Sequence, residues 1–504
     1  MNKFFNMAAG FFVVAAVNTA DAEELVIIHT NDTHSQIDPL KGENLGGVAR
    51  RKVLIDSIRA ERPNVLLIDA GDVVQGSLFF NLYKGEVEEK VMNALGYDLR
   101  ILGNHEFDNG MEQMSNVMKD AQAELLCSNY DLRETPLAGM FKPYSIREVD
   151  GKRIAFMPIN LQPKGMISAR NIQGLGFADE QETADALAWY LKNIEHADAV
   201  VAVTHIGYDP DVDLIKKSKN IDMLIGGHSH TEVDPSDPKS VPHTVKNAEG
   251  RDILIAQTGK SGRYLGEIVI DLDSLGSALP KSRLIRVDSR LDSRTDPAIE
   301  QLLSPYRSAV NGLYTKKVAK ADRTMERDDT ELINFAADFL ERRANELADS
   351  VDMVIINKGG LRITINKGDV YEGDIITLMP FFNRINVIEI TGRQLAEAFD
   401  TMAKAGGNGV SRNVSAVYDP DSGKCLEVAI SGKPIDPDRI YRIGTIDYLA
   451  EGGDYFKSLA DHRLVAESPN YLFEDMLTYF KSFKKRNGKI ASDPAPRMTP
   501  ATAE

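Results

Sequence analysis

The chain is poor in cysteine, with 2 among 504 residues. Cys127 and Cys425 lie far apart, in what read as different domains, so no disulfide is predicted. Two cysteines cannot build a cysteine-rich zinc site either, so any metal must be held by His, Asp and Asn. Long apolar runs are also missing. After the first segment none approaches the ~20 residues that a membrane helix needs. Positive charge is in deficit: 59 Lys and Arg against 75 Asp and Glu give a net charge of -16. That balance argues against a nucleic-acid polymer as partner. Phosphate still remains a possible ligand, because metals or arginines can reverse the field locally. Internal repeats are absent. What is present is an ordinary globular composition, 43% hydrophobic and 27% charged, long enough for two or three domains.

The N-terminus reads as a targeting signal. Lys3 precedes the apolar stretch Met7 to Val17, and Ala20-Asp21-Ala22 supplies small residues for cleavage. This pattern predicts a signal peptide over 1–22 and a periplasmic or extracellular protein. No cysteine sits at the cleavage point, so no lipid-type membrane anchor is expected.

From Leu25 to about Val287, short apolar runs alternate with helical periodicities. Strands are expected at Leu25 to His29, Val65 to Asp69, Leu99 to Leu102, Ile154 to Ile159, Ala199 to Val203, Met223 to Ile225 and Ile253 to Ala256. The alternation predicts an α/β domain over 23–290 with mostly buried strands. Asp296-Pro297 then reads as a helix cap and first turn, opening a helical linker over 291–316. A second α/β pattern fills 317–488, and a Pro- and Ala-rich tail from 489 to 504 is expected to fray.

Residues with metal chemistry sit at five strand ends. They are Asp32 and His34, Asp72, Asn104 with His105, His205, and His228 with His230. On extended chain, residues two apart face the same side, so Asp32 and His34, or His228 and His230, can reach one ion. In α/β sheets, sites form at the carboxyl ends of strands. An isolated Asp-x-His triplet says nothing; five such ends in one chain do. His29, His196, His243 and His462 read as hydrogen-bonded loop residues.

The strings HTNDTH at 29–34, GNHEFD at 103–108 and GGHSH at 226–230 resemble the secreted 5'-nucleotidase family of calcineurin-like metallophosphoesterases. The family includes UDP-sugar hydrolases and 2',3'-cyclic nucleotide phosphodiesterases, and the resemblance spans nearly the whole mature chain. It implies a four-layer α/β/β/α catalytic domain, a helix, and a second α/β domain that binds substrate. It implies two divalent ions, Zn or Mn. Asp32, His34 and His230 would hold one, Asn104, His205 and His228 the other, with Asp72 bridging. Donors of imidazole, carboxylate and amide oxygen suit such metals better than calcium. Two ions clamp a phosphoryl group and activate a water for attack at phosphorus. His105 would stabilise the transition state or assist the leaving group, oriented by Asp108. Glu106 reads as structural.

In the second domain, Asn357-Lys358-Gly359-Gly360-Leu361-Arg362 resembles the family's phosphate-contacting arginine loop. A guanidinium fork matches phosphate oxygens. Asn383, in Pro380-Phe381-Phe382-Asn383, and Tyr448 and Asp454, in Tyr448 to Asp454, resemble the substrate-binding stretches. Tyr448 would stack on a base and Asp454 would contact the nucleoside. The chain departs from the family at three places. Lys358 replaces a glycine, Tyr455 stands where relatives have glycine, and Ser411 aligns with a second base-stacking ring. Arg412 could stack in its place. The resemblance implies hydrolysis of nucleotide phosphate esters, nucleotide to nucleoside plus phosphate. Cyclic-nucleotide phosphodiesterase with 3'-nucleotidase action, UDP-sugar hydrolysis and an inactive nucleotide-binding protein are the alternatives. With ligands in one domain and recognition residues in the other, rotation about the connector is expected.

Overall fold

The computed structural model describes residues 24–40, 42–483 and 488–501; the expected signal peptide lies outside them. The apolar runs form strands. Val65–Asp69 and Met223–Ile225 begin and end as the sequence predicts. Glu24–Thr30 and Lys152–Asn160 run slightly longer.

The first half contains two six-stranded sheets. In one, Glu24–Thr30, Val65–Asp69, Leu99–Ile101 and Glu124–Leu126 pair in parallel. Tyr264–Asp271 and Lys281–Arg286 add antiparallel strands on the other side of Glu24–Thr30. In the second, Lys152–Asn160, Ala199–His205, Met223–Ile225 and Asp252–Ala256 are parallel, with antiparallel strands at both edges.

Ile27, Ile68 and Leu99 meet Phe156, Val201 and Ile225 in one core between the sheets. Helices Val48–Glu61 and Glu86–Leu95 cover the outer face of the first sheet. Glu180–Asn193 and Tyr208–Lys217 cover that of the second. The result is a four-layer α/β/β/α arrangement. Strands covered on both faces are continuous apolar runs, which is why they were legible.

The connector is the helix Pro297–Leu313. The Asp296 carboxylate accepts the Ala298 N–H at 2.8 Å, as its place before Pro297 predicts. Ile299, Leu303 and Val310 pack with Val91 and Leu95, and Ile376 and Phe473 of the second half join the same cluster. The two halves therefore share an apolar seam at the connector.

The second half carries a five-stranded sheet containing Met353–Ile356, Ile440–Ile446 and Arg384–Thr391. Helices Thr330–Ala348 and Gly392–Lys404 pack on it through Phe335, Phe339 and Phe399.

The tail departs from expectation. Gly488–Ile490 pairs in parallel with Lys317–Ala321, and Met498–Pro500 with Val414–Asp419. The nearly buried Arg497 donates to the Val410 carbonyl at 2.7 Å and pairs with Asp338. Strands added by backbone bonds need little apolar periodicity, so composition hid them.

Candidate active site

The five motif-bearing segments follow the carboxyl ends of the inner parallel strands, and their side chains converge. His205 ends its strand in extended backbone, but most of the others do not. Asp32 and His34 have φ of 50° and 47°, and Asp72, His228 and His230 have 57°, 75° and 57°. Asp32 and His34 fall in one group as residues two apart should, whereas His228 and His230 fall in different ones, and the turns involved are left-handed, which non-glycine residues rarely adopt. Gly71 makes the close approach possible. A Cβ there would meet Gly103 N at 2.6 Å and His205 Nδ1 at 2.9 Å.

Asp32, His34 and His230 form one group. His34 Nε2 and His230 Nε2 are 2.9 Å apart, and Asp32 Oδ1 lies 3.4 Å from His230 Nε2. Asp32 Oδ2 accepts from Asn31 Nδ2 at 2.6 Å and His228 N at 2.9 Å. Oδ1 is buried with no hydrogen-bond partner among the described residues. Asp72, His205 and His228 form a second group. His205 Nε2 is 3.2 Å from Asp72 Oδ2. Its Nδ1 faces the Ala70 carbonyl at 2.7 Å, which places the proton on Nδ1 and keeps Nε2 available as a donor to metal. Asn104 Oδ1 lies 3.0 Å from His228 Nδ1. Asp72 is shared with a further group containing His34 and His105.

Electrostatics agree with a cation site. Burial pushes His34 down to about 3 and His228 down to about 4, so both are neutral donors at pH 7. Burial opposes charge on His205 too, but Asp72 outweighs it and raises His205 to about 10. Asp72, despite burial, is held well below the usual carboxylate range by His205 and His105. The negative field of Asp72 and Asp32 that holds a proton on His205 also favours a divalent ion there. The unpartnered Asp32 oxygen and the facing imidazole nitrogens fit two such ions.

His105 Nδ1 lies 2.9 Å from Asp108 Oδ2. Burial opposes its charge, yet Asp108 and Asp72 lift it to about 9. Glu106 is buried and accepts three backbone N–H groups: Asp72 at 3.0 Å, Val73 at 2.8 Å and Gly103 at 2.6 Å. It ties two motif loops together, in line with the structural role expected of it. His29 lies on a strand rather than in a loop; it is buried, opposite Gly266, and burial pushes it down to about 3.

A cleft of about 710 Å³ opens between the halves. Asp72, Asn104, His105, Asp108, His228 and His230 line one side, and Arg362, Asn383, Tyr448 and Asp454 the other. Thus every sequence-predicted substrate residue reaches the same cleft as the metal groups.

The comparisons agree with this geometry. Residues 25–232 match the calcineurin-like phosphoesterase model, and residues 311–461 match the 5'-nucleotidase C-terminal domain. Human 5'-nucleotidase is 27% identical over 517 residues, covering 92% of this chain and 89% of the relative. The trifunctional nucleotide phosphoesterase YfkN of Bacillus subtilis (strain 168) is 27% identical over 521 residues, 93% of this chain but 34% of that protein. The chain therefore spans about a third of YfkN. The crystal structure of a 5'-nucleotidase precursor from Thermus thermophilus superposes with a TM-score of 0.82 at 26% identity, over 95% of this chain and 100% of that one. The chain belongs to the 5'-nucleotidase family of calcineurin-like metallophosphoesterases. It is a metal-dependent phosphoric ester hydrolase, and such enzymes use two divalent ions.

Within this family member, the expected second ring position needs correction. Ser411 is fully buried and its hydroxyl accepts the Val354 N–H at 2.7 Å, so it does not line the cleft. Arg412 is turned outward to Asp338 at 3.1 Å. Tyr455 is 70% exposed and also absent from the lining. The Tyr448 hydroxyl lies 3.0 Å from Asp454 Oδ1, and Asp454 Oδ2 accepts from Asn357 Nδ2 at 2.5 Å. Phe381, which the sequence did not single out, lines the cleft beside His105 and Arg362. Its partners are remote in sequence, so no local pattern pointed to it.

Proposed function

We propose that this chain is an exported nucleotidase that removes phosphate from nucleotides. The observation that carries the proposal is the shared cleft: two metal-capable groups on one wall, and an arginine, a tyrosine and an aspartate on the other. Export rests on the sequence signal and on secreted relatives such as the snake venom 5'-nucleotidase of Gloydius brevicauda, 28% identical over 535 residues. Among the described residues no helix is long and apolar enough to cross a membrane.

Asp32, His34 and His230 would hold one ion and Asn104, His205 and His228 the other, with Asp72 between them. Zn or Mn suits that donor set. Bound ions supply Lewis acidity toward phosphoryl oxygens and lower the pKa of water. The Arg362 guanidinium, from the second domain, fits phosphate oxygens and neutralises charge that grows at phosphorus. His105, held at Nδ1 by Asp108, has Nε2 free to act at the leaving oxygen, which takes a proton as the P–O bond breaks. Tyr448 offers an aromatic face to a base, with its hydroxyl fixed by Asp454.

The test is phosphate release by the protein from Glu23 onward, loaded with Zn²⁺ or Mn²⁺. The panel is AMP, UMP, ATP, UDP-glucose, 2',3'-cyclic AMP and 3'-AMP, with products identified and His105→Ala as control. Fast, His105-dependent release from AMP and UMP supports the proposal. Preference for the cyclic diester or UDP-glucose would move the substrate assignment within the family. Binding without turnover of any of them would overturn it.

A further inference from the structure

Phe381 stands between groups from opposite walls of the cleft. The Arg362 guanidinium carbon lies 5.3 Å from its ring centroid. The His105 ring centroid lies 6.3 Å away, with the planes inclined by 31°. Phe381 thus touches both the arginine read as the phosphate anchor and the imidazole read as the catalytic group.

Arg362 has little else to fix it. Its hydrogen bond is a long one, Nη1 to the Gly359 carbonyl at 3.4 Å. Burial and Arg327 disfavour its charge, while Asp108, Asp72 and Asp454 favour it. An arginine held only this way would sample many rotamers, and ordering it at each binding event weakens affinity. An aromatic face restrains the guanidinium plane while leaving the N–H edges free to bond an anion.

The loop that carries the ring is pinned from both domains. The Pro380 carbonyl accepts Asn81 Nδ2 at 2.6 Å, a bond from the metal-bearing half. The next residue, Phe382, packs edge-on against Phe80, Tyr471 and Phe473, with centroids 5.8, 5.0 and 6.0 Å away. Phe381 therefore sits on a loop fixed to the wall that carries His105, although it belongs to the half that carries Arg362.

We propose that Phe381 is a positioning residue that holds Arg362 in register with His105, so that the phosphate anchor of one domain meets the reacting centre of the other. The proposal rests on the reading of Arg362 as a phosphate ligand.

The test compares Phe381→Ala, Phe381→Leu, Phe381→Tyr, Arg362→Ala and the Phe381→Leu/Arg362→Ala double variant in the metal-loaded full chain. The readouts are kcat and KM with AMP, calorimetric binding of inorganic phosphate, bound metal per chain, and Tm. Losing the aromatic face should weaken phosphate binding and raise KM by roughly 3- to 30-fold, the span expected of a desolvated cation–π contact. Metal content should stay at the wild-type level. Phe381→Tyr should restore both values, and Phe381→Leu should add little once Arg362 is gone. Leucine keeps an apolar side chain, so it carries the test if the alanine variant folds poorly. Wild-type phosphate binding in Phe381→Leu, or a loss that adds fully to that of Arg362→Ala, overturns the proposal while leaving Arg362 in its role. Unchanged phosphate binding in Arg362→Ala overturns the reading beneath it as well.

Discussion

Arg170 spans the cleft mouth to Asp447, with Nη1 3.2 Å from the carboxylate. The same guanidinium pairs with Glu451 at 3.1 Å and Glu467 at 3.3 Å, and the Ser168 hydroxyl also bonds Glu451. One cation from the metal-bearing half therefore meets three acids from the substrate half. The apolar seam at the connector and this polar contact lie on separate parts of the interface. If the domains rotate, the polar contact must part.

Asp447 makes that contact sensitive to pH. Burial raises its carboxyl to about 6, with Arg170 opposing the rise and Glu451 reinforcing it. The folded protein thus holds this proton more tightly than the unfolded chain, whose carboxyl titrates near 4. Stability from the bound proton is complete below about pH 4 and is lost as pH rises through about 6. Asparagine does not titrate, so wild type should lose stability relative to Asp447→Asn across that window, with little further change to pH 8. Denaturant unfolding of both proteins at several pH values checks this. A difference that stays constant from pH 4 to 8 would refute it.

Glu106 should matter to metal retention rather than to chemistry. Its carboxylate accepts the N–H groups of Asp72, Val73 and Gly103, so it sets the loops bearing Asp72 and Asn104 against each other. Glutamine keeps the shape but replaces one acceptor with a donor that faces N–H groups. Support of this kind is typically worth 10- to 100-fold in metal affinity. Glu106→Gln should bind Zn²⁺ or Mn²⁺ more weakly by about that factor, while excess metal restores much of kcat. Unaltered affinity by competition with a chelator would make Glu106 a purely passive core residue.

Much of this was legible because burial on both sheet faces writes strands as apolar runs, as at Val65–Asp69 and Met223–Ile225. The candidate donors were legible because His, Asp and Asn recur where such runs end. The left-handed backbone at Asp32, His34, Asp72, His228 and His230 was not, since side-chain identity carries no sign of φ there. The position of Ser411 misled for a related reason. Motif spacing placed it in the cleft, whereas the short strand Gly409–Val410 draws it under Val354. Glu106 and Phe381 act on backbone and rings far away in sequence, and such contacts exist only once the chain is folded.

The C-terminal strands should be required for the second domain's stability. Residues 491–501 contribute the Met498–Pro500 strand, the Arg497 bond to Val410, and carbonyls of Asp493 and Ala495 that accept from Asn334. Ending the chain at Ile490 exposes an edge and leaves Asp338 without Arg497. The lost bonds and the buried Met498 together suggest a cost of roughly 2–4 kcal/mol. Calorimetry should show a lower transition for the substrate half and an unchanged one for the metal-bearing half. An unshifted profile would mean that the tail only rests on the surface.

The role of His105 is open to a direct test because geometry alone allows two. Its ring nitrogen falls in a group with His34 and Asp72, as a metal ligand would. Its Nδ1 is also 2.9 Å from Asp108, as an oriented acid–base group would be. The second role predicts that His105→Ala keeps both ions and loses kcat by about 10²–10⁴-fold, the usual reach of a general acid. Asp108→Asn should fall in between, because the imidazole remains but loses its charge partner and its preferred tautomer. The deficit should shrink with substrates whose leaving group is already acidic, such as p-nitrophenyl phosphate, since departure then needs less protonation. If His105→Ala instead loses an ion and its deficit is equal for AMP and p-nitrophenyl phosphate, His105 is a ligand and the leaving oxygen takes its proton from elsewhere.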